Sequence, residues 1–280
     1  MATPAAPSTS PVTTPTVRTP VLFIPGLWMH AESWKNWIDL FTQAGYDPIS
    51  RSWPGAGDTI AETRAHPETL EGKGVREVID HYAGIIRDLP RAPIVVGHSF
   101  GGLIAQALLG KGLAAAAIAI DPAPIKGVLA LPLSTLRSSF PVLKNPANFA
   151  RAVALTAGEF RYGFANAVSE AEAADLYQRF AIPGPGRPLF QAAFANLTPH
   201  AATEVDTHND SRGPLLLISG EKDHIVPPVV TRATLKQYKK SSAVTDLREI
   251  KGRGHSLTID SGWREVADTA LTWLKEHNLQ

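Results

Sequence analysis

Gly97-His98-Ser99-Phe100-Gly101 sets a serine between two glycines, where the β-branched run Ile94-Val95-Val96 gives way to a helix-forming run beginning at Phe100. G-x-S-x-G at a strand-to-helix junction is the pattern of a nucleophile elbow. Such a turn holds the serine in a strained backbone conformation and leaves no room for neighbouring side chains, which is why glycine flanks it. It also lifts the hydroxyl to a helix N-terminus, where the dipole and free N–H groups favour negative charge. A serine hydroxyl is a weak nucleophile until a base removes its proton. Of the nine histidines, His255 is the best placed, in Gly252-Arg253-Gly254-His255-Ser256-Leu257 between the last strand and the last helix. The acid that orients it belongs at a strand end between the two. Asp223 follows the apolar run Leu215–Ser219, and Asp121, at the end of Leu113–Ile120, is the second candidate.

The elements that must position these residues are legible as alternating periods. Strand-like runs fall at 21–24, 46–53, 93–96, 113–120, 215–219 and 244–250. Helical stripes separate them, among them Trp34, Trp37, Ile38 and Phe41, then Val75, Val78, Ile79, Tyr82 and Ile86, and finally Trp263, Val266, Ala267, Ala270, Leu271 and Leu274. This alternation predicts a mostly parallel sheet with helices on both faces. Residues 122–212 interrupt it and are far too long for an ordinary connection. They carry two capping boxes, Thr156 with Glu159 and Ser169 with Glu172, and read as a helical insertion. Residues 1–19, rich in Pro, Thr, Ser and Ala, read as a disordered tail.

Composition narrows the function classes. Twenty-seven Lys and Arg against 26 Asp and Glu leave a net charge of +1, which supplies no electrostatic reason to expect nucleic acid or an acidic membrane. With no cysteine there is no disulfide, thiolate zinc site, iron–sulfur cluster or cysteine nucleophile. The longest apolar run, Leu113–Ile120, is far short of the roughly 20 residues that cross a bilayer. With no signal-peptide pattern at the start, a cytoplasmic location is expected.

From 21 to 277 the sequence resembles the α/β-hydrolase family, on Phe23–Trp34 (FIPGLWMHAESW), on GHSFGG and on the order Ser99, Asp223, His255. Within it the motifs are similar to cap-bearing bacterial esterases and to the plant methylesterase and hydroxynitrile-lyase group. The resemblance implies an α/β-hydrolase fold: an eight-stranded, mostly parallel sheet, with core segments 20–121 and 213–280 and a helical cap at 122–212. It implies a Ser99–His255–Asp223 triad and an oxyanion hole made by the backbone N–H groups of Phe100 and Leu27, with Trp28 as the other candidate donor, since Pro25-Gly26 stands where relatives have His-Gly.

The expected chemistry is hydrolysis of a carboxylic ester through an acyl-enzyme, without metal or organic cofactor. The substrate is expected to be a small ester with an apolar acyl or aryl group, lodged near Trp28 and His30 and under the phenylalanines of the cap. Lactonase, thioesterase, carbon–carbon hydrolase, perhydrolase or hydroxynitrile-lyase-like activity would use the same residues, and a silent ligand-binding relative would keep the pocket alone. His98 reads as packing. His200 and His208 lack a carboxylate at ligand spacing. Oligomeric state is open.

Overall fold

The computed structural model describes residues 18–280, so the tail read at 1–19 lies, except for Arg18 and Thr19, outside the described residues. The chain runs β1 (Pro20–Ile24), α1 (Lys35–Gln43), β2 (Asp47–Ser50), α2 (Ile60–Ala65), α3 (Val75–Arg87), β3 (Ile94–His98), α4 (Phe100–Gly110) and β4 (Ala116–Ile120). There follow α5 (Leu133–Leu143), β5 (Ala152–Val153), α6 (Ala157–Gly163), α7 (Glu170–Phe180), β6 (Gly184–Pro185) and α8 (Arg187–Ala193). The chain closes with β7 (Leu215–Gly220), α9 (Pro228–Gln237), β8 (Thr245–Ile250) and α10 (Trp263–Glu276).

Six strands form one sheet in the order β2-β1-β3-β4-β7-β8, and every pairing is parallel. The expected count of eight in one sheet is therefore corrected to six among the described residues. The remaining two strands, β5 and β6, pair antiparallel in a separate ribbon within the inserted segment. β2 is shorter than the apolar pattern of 46–53 and lies at an edge, where Pro48 costs no ladder bond.

Side chains alternate between two cores as the period of two requires. Val21, Phe23, Ile94, Val96, Ile118, Leu216 and Ile218 face one side, under Trp34, Trp37 and Phe41 and under Val266, Ala270 and Trp273 of α10. Leu22, Ile24, Val95, Ala117, Leu215 and Leu217 face the other, under α3, α4 and α9. Phe23, Trp34, Trp37 and Phe41 pack with ring centroids 5.0–6.1 Å apart. Each such pair adds about 0.5–1.5 kcal/mol to simple burial. The Trp37 indole N–H also donates to the Thr258 carbonyl at 2.9 Å, fastening α1 to the loop that carries His255.

Between β4 and β7 lie α5 to α8 and the β5–β6 ribbon. The Thr156–Glu159 capping box forms as read. In the second box only half forms. Ser169 caps α7, but the Glu172 carboxylate instead accepts the Ser261 N–H at 2.6 Å, tying the inserted segment to the chain beyond His255.

Because all six strands run the same way, the loops after β1, β3, β4, β7 and β8 emerge at one edge. The chain leaves β1 for the outer strand β2 and returns to β3 on the opposite side, so the loops after β1 and β3 part at a topological switch point, where open parallel sheets hold their ligands.

Candidate active site

Ser99 stands at the junction of β3 and α4 with φ 55° and ψ −121°, a conformation strained for any residue with a Cβ. The surroundings over-determine it. Its N–H donates to the Ile120 carbonyl at 2.9 Å, and its own carbonyl accepts from the N–H groups of Gly102, Leu103 and Ala123. The flanking glycines are steric necessities. A Cβ on Gly97 would fall 2.0 Å from the Gly101 carbonyl oxygen, and one on Gly101 would fall 2.3 Å from that of Ile24.

His255 is fully buried in the loop after β8. Its Nδ1 lies 2.6 Å from Asp223 Oδ2, and Asp223 Oδ1 accepts the N–H groups of Ile225 and Val226 at 2.7 and 2.9 Å. A carboxylate only accepts, so Nδ1 carries the proton and Nε2 is left as an acceptor. Nε2 is buried and has no partner among the described residues. Burial pushes the Asp223 carboxyl up, but the His255 charge and hydrogen bond, together with its other donors, hold it below the usual carboxylate range.

Asp121, fully buried at the end of β4, lies with Oδ2 4.0 Å from His255 Nδ1, beyond hydrogen-bond reach. Its Oδ1 accepts the Gly220 N–H at 2.7 Å, while Oδ2 has nothing to accept from. Burial first, and then the charge of Asp223, raise its pKa well above the ordinary value. The interaction between the two carboxyls works in opposite directions on them, raising the pKa of Asp121 and lowering that of Asp223. The two acids are thus driven apart: the His255 ring favours the anion on Asp223, while burial beside that anion disfavours a charge on Asp121. This pairing is absent from the sequence reading, which treats the two only as rivals.

His98 packs against His255 with ring centroids 4.5 Å apart, and burial followed by the His255 charge lowers its pKa well below the imidazole range. Phe164, expected only as one of the phenylalanines of the cap, stands edge-on to His255 at 4.8 Å, and its carbonyl accepts the Ser256 N–H. His98, Asp121 and His255 each bring one donor atom within 4.8 Å of the others, a spacing a metal could use. Metal ligands must be deprotonated, and burial beside the Asp223 charge opposes ionisation of this carboxyl.

On the opposite side of Ser99, Gly26 approaches so closely that a Cβ there would fall 2.9 Å from Ser99 Cβ. The N–H groups of Leu27 and Phe100 donate to no group among the described residues. Trp28 sits at φ 67°, its carbonyl accepts the Ile182 N–H of the inserted segment at 3.1 Å, and its indole N–H donates to the Val153 carbonyl at 3.0 Å.

An apolar cavity of about 320 Å³ opens on Ser99 and Phe100. Its walls are Ala123, Pro124, Ile125, Val128, Leu129, Ala130, Leu131, Leu136 and Leu143 with Leu189, Ala192 and Ala195 of the inserted segment and Ile225 and Val226 beside Asp223. Trp28 and His30, expected in the pocket, do not line it. His30 is buried with both ring nitrogens occupied, Nδ1 by the Glu32 N–H and Nε2 by the Gly57 carbonyl. The phenylalanines of the insertion do not line it either, since Phe160 and Phe164 stack on each other to pack the segment down. A larger hollow of about 560 Å³, near Arg76, Arg187 and His200, is polar and contains neither Ser99 nor its partners.

The family model described as "Alpha/beta hydrolase family" matches residues 21–269, and the chain belongs to that family. Solved structures share the fold at low identity. A soluble variant of monoglyceride lipase from Saccharomyces cerevisiae is 17% identical with a TM-score of 0.70, covering 95% of this chain and 88% of its own. A monoacylglycerol lipase from Paleococcus ferrophilus is 20% identical with a TM-score of 0.64, covering 92% and 94%. A methylesterase from Arabidopsis is 16% identical with a TM-score of 0.63, covering 92% and 99%. No curated protein sequence matches the chain.

Proposed function

We propose that the protein is a serine hydrolase of carboxylic esters, with Ser99 as nucleophile, His255 as base and Asp223 as the acid that orients it. The observation that carries this is the ring of His255: its Nδ1 is bonded to Asp223 at 2.6 Å, its Nε2 is desolvated and unpartnered, and its face packs against His98, the chain neighbour of Ser99. The three residues assign the roles of the Ser-His-Asp mechanism.

As Ser99 Oγ attacks the ester carbonyl, its proton passes to His255 Nε2, and Asp223 stabilises the imidazolium. The carbonyl oxygen becomes an oxyanion, and the unbonded N–H groups of Leu27 and Phe100 are the donors for it, each contributing on the order of 3 kcal/mol in comparable sites. The alcohol leaves with the proton from His255. Water then gives its proton to the same nitrogen as it attacks the acyl-enzyme, and His255 returns that proton to Ser99 Oγ as the acid departs, which restores the starting state.

Residues 122–212 serve as the cap, supplying Leu and Ala walls to the 320 Å³ cavity. Those walls fit an aliphatic acyl group better than a polar one. The resemblance to lipases and a methylesterase supports an ester as substrate.

The test is labelling by a fluorophosphonate, followed by digestion and mass spectrometry. Label on Ser99 that vanishes in His255→Ala supports the assignment. A folded protein that takes no label, or takes it at another serine, overturns it.

A further inference from the structure

The whole chain is nearly neutral, but the rim of the apolar cavity is not. Leu129, Leu131, Leu133, Phe140, Phe194 and Leu197 are exposed large apolar side chains, with Leu133 83% and Leu197 81% accessible. Single exposed leucines need no explanation, whereas a contiguous apolar patch marks an interaction surface. These form one patch. Leu129 and Leu131 edge the cavity itself. Leu133 and Phe140 lie seven residues apart on one face of α5, with Leu136, another cavity residue, between them. The Asn196 side chain accepts the Gly127 N–H and donates to the Val128 carbonyl, pinning Phe194–Leu197 beside Leu129.

Charge is segregated along the same part of the chain. Between Asp121 and Glu159, and again between Asp175 and Glu204, the chain has no acidic residue, yet these stretches hold Lys126, Arg137, Lys144, Arg151, Arg179 and Arg187. Lys126 pairs with Glu204 and Arg179 with Asp175, both from outside the stretches. Lys144 and Arg151 are exposed and have no carboxylate partner among the described residues.

We infer that this rim docks on the surface of an anionic lipid bilayer, leucine and phenylalanine side chains entering the interface and the flanking cations facing the headgroups. Apolar side chains and basic residues on one face are what an interfacial contact requires. The patch is continuous with Leu129, Leu131 and Leu136, which line the cavity that opens on Ser99, so a permanent protein cover would obstruct that cavity. A lipid surface instead presents apolar esters directly to it. What enters the cavity rests on the ester-hydrolase reading, whereas the docking does not.

The test is sedimentation of the full chain with vesicles of phosphatidylglycerol and phosphatidylcholine, against phosphatidylcholine alone. The expected result is binding to the anionic vesicles that weakens with salt. Leu133→Ser/Phe140→Ser/Leu197→Ser, which replaces none of the cavity-lining residues, should lower the partition about tenfold or more. It should leave hydrolysis of a short, soluble p-nitrophenyl ester within about twofold. Lys144→Glu/Arg151→Glu should remove most of the preference for anionic vesicles. No binding, undiminished binding by the triple variant, or a dimer in sedimentation velocity that the triple variant dissociates would each overturn the inference. Vesicle binding by a protein that cleaves no ester would uphold the docking and sink the hydrolase reading instead.

Discussion

Asp223→Asn keeps the shape of the side chain and inverts what it offers His255. The N–H groups of Ile225 and Val226, at 2.7 and 2.9 Å from Oδ1, demand an acceptor, so the amide oxygen must take that place. The amide nitrogen then occupies the position of Oδ2, 2.6 Å from His255 Nδ1, with its hydrogens pointing at the ring. Donor against donor is repulsive, and the ring relieves it by moving its proton from Nδ1 to Nε2. An imidazole protonated at Nε2 cannot accept the Ser99 proton. The loss of a correct tautomer costs about 10⁴ in turnover in serine proteases, and the same factor is expected here. That factor corresponds to about 5 kcal/mol of transition-state stabilisation. The assay is kcat/KM on a p-nitrophenyl ester, with circular dichroism and the thermal midpoint to establish that the variant is folded. A loss of less than about tenfold would refute the reasoning. It would mean that Asp121, 4.0 Å from Nδ1, moves in to orient the ring, and Asp121→Asn/Asp223→Asn would then lose the remaining activity.

Asp121→Asn should behave in the opposite way, because an amide reproduces a neutral carboxylic acid that donates to Asp223 and accepts from Gly220. Activity within about tenfold of the parent is expected, with an unshifted acid limb in the pH–rate profile; a large loss in a folded variant would make Asp121 an anion in the working site. The same variant tests linkage. Asp121 has a raised pKa in the folded protein, so its contribution to stability is fully present below the unfolded pKa of about 3.9 and is lost as pH rises toward and through the folded value. Asn has no proton to lose, so denaturant titrations should show the variant gaining on the parent from pH 4 upward. Gly101→Ala should cost several kcal/mol, since its Cβ would meet the backbone oxygens of Ile24 and Pro25 at 2.3 and 2.8 Å. Gly84→Ala, inside α3 with nothing within 4 Å of the new methyl, should instead stabilise by about 0.5–1 kcal/mol. Thermal midpoints that fail to separate these two would show that the elbow is not sterically closed.

The sequence by itself determined the order of strands and helices, because the two periods of burial are written locally: buried strands appear as short apolar runs and one-sided helices as stripes. Ser99 was equally legible, since the glycines that a closed turn demands flank it in the chain. His255 and Asp223 could be picked out only as residues in loops after strands. Their bond at 2.6 Å exists because parallel strands deliver all such loops to one edge, and pairing across the sheet has no local signature. For the same reason the raised pKa of Asp121 was invisible: it depends on the absence of water and on the charge of a residue about a hundred positions away. The pocket was the least legible part. Trp28 and His30 were expected to line it and are instead held by the Val153 and Gly57 carbonyls, while the cavity is walled by small and aliphatic residues from the insertion whose types are those of any core. Whether a leucine packs inward, lines a cavity or faces solvent is decided by the surface brought against it, and only the tertiary structure supplies that surface.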